Sequence, residues 1–159
     1  AGLSGLPDLP RPGRGMTRSL LLDVTIPIAP VPKARPRVTR HGTHTPDRTR
    51  NFESLAGWYL RAAMGTAGLA RVDRPRLLQL EAVFILARPQ RLPKNGHRCW
   101  HGVRPDLDNL LKALKDAMDK VVMEDDSQIV SLTAEKWYAS SEENPSIIVR
   151  LSEWCRVSI

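Results

Sequence analysis

The chain has 159 residues, 42% of them hydrophobic, which suits one globular domain and excludes an intrinsically disordered chain. Its 24 Lys+Arg against 17 Asp+Glu leave a net charge of +7, so a polyanionic partner is expected, nucleic acid before membrane. The longest apolar runs are strand-sized rather than membrane-spanning, and the two cysteines, Cys99 and Cys155, fit a cytoplasmic chain with reduced thiols.

Residues 1–18 are rich in Gly, Pro and Arg without apolar periodicity and read as a flexible tail ahead of a folded domain over 19–159, with Met16 a candidate start. Leu20–Ile26 is β-like and stops at Pro27. A long loop follows over 27–47, punctuated by prolines and carrying Lys33, Arg35, Arg37 and Arg40. Thr45-Pro46 reads as an N-cap with proline at the first helical position. Phe52, Leu55, Ala56, Tyr59, Leu60, Ala63, Met64 and Ala67 then recur at helical spacing up to Gly68, a stripe most simply explained as core.

Leu77–Leu86 reads as a strand. Residues 88–104 form a second basic loop, with Arg88, Arg91, Lys94, Arg98 and Arg104 and no acid. A helix is expected over 108–121, then strands at Ile129–Tyr138 and Ser146–Leu151 joined by a polar turn at 140–145. The order β-α-β-α-β-β predicts an α/β chain of the α+β type: a single mixed sheet with two helices packed on one face.

The charges are not evenly spread. Residues 11–50 hold nine basic side chains against two acidic ones, whereas 106–126 hold seven acids against Lys112, Lys115 and Lys120. Basic arms around an acidic centre suit an enzyme that grips a phosphate backbone and presents a metal to it. Lys33, Arg35, Arg37, Arg40, Arg98 and Arg104 are the candidate DNA contacts.

Within the acidic centre, Asp106 and Asp108 project together if the segment is extended, with Pro105 rigidifying the entry. Asp108 stands where the helix begins, favoured there by the helix dipole. The apolar face of that helix is Leu110, Leu111, Leu114, Ala117, Met118 and Val121, which leaves Lys112 on the opposite side, one turn from Asp108. Glu124, Asp125 and Asp126 follow directly and can fold back toward the pair. Carboxylate oxygens at this density suit Mg²⁺, and a lysine beside them can stabilise charge developing on a phosphate.

Blander readings stand beside this one. Asp-x-Asp alone is a weak signal, Asp108 can be a helix cap, Lys112 an ordinary surface partner, and the acidic triplet a solvated turn. The run His97-Arg98-Cys99-Trp100-His101 lacks a second ligand pair at zinc spacing and reads better as a basic, partly aromatic DNA-contacting loop. Two other functions compete with a nuclease. One is a non-catalytic DNA-junction-binding protein. The other is a nucleotide-sugar transferase with Mn²⁺ on Asp-x-Asp, for which the chain is short.

The run Arg104-Pro-Asp-Leu-Asp-Asn-Leu-Leu-Lys112, then Glu124-Asp-Asp-Ser-Gln-Ile129 and Glu135-Lys136, resembles the RusA family of Holliday junction resolvases, often prophage-encoded. Val31-Pro-Lys-Ala-Arg-Pro-Arg-Val-Thr39 and Thr45-Pro46 are similar to that family's basic segment, so the likeness runs through residues 20–151. The resemblance implies a small α/β homodimer that cuts four-way DNA with Mg²⁺ (Mn²⁺ substituting) in recombination and repair. It implies Asp106, Asp108 and Asp126 as essential carboxylates, Asp125 as a neighbouring metal ligand, and Lys112 as the essential lysine.

Overall fold

The structure is a computed structural model that describes residues 15–156 apart from 36, 41 and 45; the side chains of 37–39 and 42–44 also fall outside the description. Residues 1–14 of the expected tail over 1–18, the cap at Thr45, and the side chains of Arg37, His41 and His44 therefore lie outside the described residues.

Strand β1 runs Met16–Ile26, a short hairpin follows as β2 Arg37–Thr39 and β3 Gly42–His44, and helix α1 spans Asp47–Ala67. Next come β4 Leu77–Leu86, the two-residue β5 Cys99–Trp100 and helix α2 Leu107–Met118. A 3-10 turn at Asp126–Gln128 leads into β6 Ile129–Tyr138, and β7 Ser146–Arg156 completes the order. One mixed sheet has the order β1-β7-β4-β6-β5. In it β4 runs parallel to β6 and antiparallel to β7. The parallel pair follows from α2, which supplies the crossover that parallel neighbours need.

Both helices cover one face of this sheet. Leu22, Leu78, Leu80, Phe84, Ile147, Val149 and Leu151 come from the strands, and Phe52, Ala56, Leu60, Leu110, Leu114 and Met118 from the helices. The helix residues recur every three or four positions and the strand residues every second one, so each element turns one face inward. The helices approach closely at Gly57, where a Cβ atom would lie 3.5 Å from the Ala117 carbonyl oxygen. α1 ends at Gly68 in the left-handed region (φ 63), where the Gly68 and Leu69 amides donate to Gly65 O and Met64 O.

Several boundaries differ from the sequence expectation. β1 begins at Met16, because β7 runs on to Arg156 and offers Arg156, Cys155 and Trp154 as partners for Met16, Thr17 and Arg18. α1 begins at Asp47, with Pro46 in the flanking position rather than inside the helix. α2 stops at Met118, since Asp119 is extended and Lys120 adopts φ 61, turning the chain back before Val121. Finally, β2, β3 and β5 lie inside segments expected to be loops, too short to show a period.

Candidate active site

Three segments meet at one end of α2: the strap before β2, the turn 101–106, and the first turn of α2. The strap is fastened by its backbone and by Lys33. The Lys33 amide donates to Asn109 O at 2.8 Å. Its ammonium lies 2.6 Å from both Glu53 Oε1 on α1 and Asp116 Oδ2 on α2. Burial disfavours the charged ammonium there, but Asp116 and Glu53 outweigh it and hold the Lys33 pKa above its ordinary value. Lys33 is thus a tie between strap and helices.

The tie opens a cleft of ≈ 660 Å³ lined by Pro32, Lys33, Arg35, Arg104, Pro105, Asp106 and Asn109. Arg35 and Arg104 are exposed and form no ion pair among the described residues. Asp106 sits just before α2 in extended backbone (φ −71, ψ 142) and its carboxylate caps no helix amide. Within the described residues that carboxylate has no partner, so its acceptor capacity is unspent in a cleft that Arg35 and Arg104 also line.

Asp108, two residues on, is not among the residues that line this cleft. The helix begins at Leu107, so Asp106 is extended and Asp108 is helical, and the two do not alternate as strand neighbours. On α2 the positions 108, 112 and 115 follow one another at i+4 and i+3, one charged stripe opposite the core. Lys112 Nζ donates to Asp108 Oδ2 at 3.0 Å, and this hydrogen bond holds the Asp108 carboxyl below the usual aspartate range. One turn on, Lys115 Nζ lies 2.7 Å from Asp126 Oδ2. The acids after the helix do return to it, but to Lys115 rather than to Asp106. The left-handed Lys120 and its ammonium bond to Glu124 O help turn the chain.

The other two acids of the triplet are engaged locally. Glu124 accepts from the Arg74 amide at 2.9 Å and pairs with the Arg74 guanidinium at 2.8 Å. Asp125 accepts from the Ser127 amide at 3.0 Å, a bond that lowers its pKa, while Gln128 Oε1 accepts from the Asp125 amide at 3.1 Å. This reciprocal box caps the 3-10 turn and sets Asp126 outward.

Among the described residues, no three His, Cys, Asp or Glu side chains converge as a metal cage. The donor chemistry nonetheless suits a hard dication. Residues 104–128 contain no His or Cys, and their exposed ligands are carboxylate oxygens.

The second basic loop has another character. The Arg88 guanidinium donates to Pro93 O, His97 O and Ala139 O at 3.0–3.1 Å, folding the loop around itself. Arg98 forms a forked pair with Glu143 (Nε–Oε2 2.8 Å), which raises the Arg98 pKa. Arg40 is exposed beside the hairpin. Trp100 stacks on Trp137 with ring centroids 3.6 Å apart. His101 is buried against Tyr138, and burial with nearby Lys136 pushes its pKa down.

Sequence reasoning on the residues missed Lys115, Asn109 and the Arg98–Glu143 pair. Lys115 had a usable signal: it lies seven residues after Asp108, on the same stripe.

A 77-residue stretch, 48% of this chain and 54% of its relative, is 46% identical to the crossover junction endodeoxyribonuclease rusA of Lactococcus phage r1t. Another stretch of 50 residues, 31% of this chain and 33% of its relative, is 40% identical to YqaN of Bacillus subtilis (strain 168). The chain thus matches a third to about half of the length of these curated relatives. The model of the family Endodeoxyribonuclease RusA matches residues 27–152, which takes in the strap, both helices, the acidic turn and most of the sheet, so the chain belongs to the RusA endodeoxyribonuclease family.

Proposed function

We propose that the chain is a Mg²⁺-dependent, structure-selective endodeoxyribonuclease that resolves four-way DNA junctions as a homodimer, in recombination and repair in the cytoplasm. The observation that carries this reading is the cleft, where Asp106, free of partners among the described residues, shares the lining with Arg35 and Arg104 at the start of α2. Family membership and the name of the phage relative support it.

Arg35 and Arg104 would bind non-bridging phosphate oxygens, for which the guanidinium fork is suited. Asp106, Asp108 and Asp126, with Asp125 adjoining, would hold the cation. When bound, that ion supplies charge neutralisation and an activated water. Lys112 spends one of its three N–H donors on Asp108, leaving others for a phosphate oxygen in the transition state. The pairs of Asp108 and Asp126 with lysines are exposed, hence weakly held, and a dication can displace them. A two-fold dimer would set two such sites for paired nicks on a junction of near two-fold symmetry.

The test is cleavage of a synthetic four-way junction by the purified chain in Mg²⁺, with Asp108→Asn beside it. Symmetric nicks by the wild type and none by the variant are expected; equal cutting by both contradicts the assignment. The lysine pairing of Asp108 and Asp126 favours one alternative, a junction-binding protein without catalysis. That alternative predicts junction binding with no metal-dependent cutting.

A further inference from the structure

Lys136 occupies a position where an apolar residue is expected. It pairs across the sheet with Phe84, which is fully buried and faces the helices. Side-by-side residues of neighbouring strands point to the same face, so the Lys136 side chain enters the helix-covered side of the sheet. A half-buried ammonium there needs hydrogen-bond acceptors, because leaving it unpaired is costly.

It has two. Lys136 Nζ donates to Val103 O at 2.6 Å and to Pro105 O at 2.7 Å, across 33 and 31 residues of sequence. Those carbonyls bracket Arg104 and immediately precede Asp106. The main chain of Lys136 holds the start of the same segment, since its carbonyl accepts from the His101 amide at 3.2 Å. One residue of β6 therefore grips the turn 101–105 at both ends. Other fastenings of the cleft act on the strap instead: Lys33 ties it to α1 and α2, and Asn109 O in the first turn of α2 accepts from the Lys33 amide.

We propose that Lys136 is a positioning residue of this site: by drawing two carbonyls onto one ammonium, it fixes the turn that presents Arg104 and Asp106 to the cleft. It touches no reacting atom in this account. The proposal rests on the reading that Arg104 and Asp106 act on the scissile phosphate, and the test separates the two ideas.

Amide hydrogen exchange across the full chain, wild type against Lys136→Met and Lys136→Arg, reads the hold on the turn without any substrate. Methionine keeps the length and apolar stem but donates nothing; arginine keeps the donors. Exchange of the His101 amide, which bonds Lys136 O, should rise roughly 10- to 100-fold in Lys136→Met as the turn loosens, with α1 unchanged. Lys136→Arg should recover most of the protection. In parallel, junction cleavage against Mg²⁺ concentration should show a raised half-saturating Mg²⁺ and a lowered rate in Lys136→Met, both largely rescued by arginine.

Unchanged exchange of the His101 amide, or a rise shared equally by α1, overturns the proposal. If the wild type cuts no junction, the nuclease reading fails while the exchange result still decides the role of Lys136. Should Lys136→Met not fold, Lys136→Gln, able to hold one carbonyl, is expected to give intermediate exchange. Unfolding of both variants would assign Lys136 to the whole fold rather than to the turn, and so also overturns the proposal.

Discussion

Two basic segments of similar composition, 33–40 and 88–104, end in opposite electrostatic states. At the cleft, Arg35 and Arg104 carry no ion pair among the described residues and share the lining with Asp106, which has none either. At the other site, Arg88 is spent on three carbonyls and Arg98 on Glu143. The division does not follow the sequence segments, for Arg104 closes the second one yet works with the first, and Lys33 opens the first yet is consumed by Glu53 and Asp116. A basic residue is more available to a phosphate where the fold has not already given its donors acceptors. Counting arginines finds the partner class; counting their partners finds the site.

That contrast can be broken most sharply at Asp106. Asp106→Asn should leave folding and junction binding intact while lowering junction cleavage by about 10²- to 10³-fold, the scale for removing one preorganised electrostatic group. Wild-type turnover by that variant would remove the cleft from the chemistry.

Lys33 comes next, as a cation predicted to serve structure. Lys33→Met should cost about 1–3 kcal/mol by denaturant melt, because it strands two carboxylates that share its ammonium. The pH dependence has a fixed sign. The folded pKa of Lys33 is raised above its ordinary 10.5, so its contribution is fully present below that pH and is lost as pH climbs through the folded value. Stability differences between wild type and Lys33→Met should therefore be flat from neutral pH and shrink only above 10.5.

Arg98→Ala should cost about 1 kcal/mol or less in the same melt, as for other partly exposed ion pairs, and leave cleavage unchanged. The smallest effect is local to Asp108. Its pKa is depressed by the Lys112 hydrogen bond, so Lys112→Met should move the Asp108 titration, followed by carboxyl NMR, upward toward 3.8. An Asp108 titration that stays put in that variant would break the pairing.

The main elements were legible because they carry a period. Leu77–Leu86 and Ile129–Tyr138 read as strands and are strands with those bounds, and the Phe52–Ala56–Leu60–Met64 row marked α1. The hairpin at 37–44 and the pair Cys99–Trp100 were not legible, since two or three residues show no alternation. At the site, residue types were legible and partnerships were not. A helix boundary at Leu107 separates Asp106 from Asp108, and a one-residue shift of that boundary would change which face each occupies. The meeting of Asp126 with Lys115 depends on the backbone turn at Lys120, which no side-chain pattern announces.

The central claim is that Arg35 and Arg104 are the free phosphate contacts and Arg98 is not. It is tested most directly by the salt dependence of junction binding without divalent cation, for wild type, the double variant Arg35→Ala/Arg104→Ala, and Arg98→Ala. The double variant should bind more weakly and lose about 2 from the log–log salt slope, near 1 per phosphate contact, while Arg98→Ala keeps the wild-type slope. An unchanged slope in the double variant, or an equal loss in Arg98→Ala, would contradict the account.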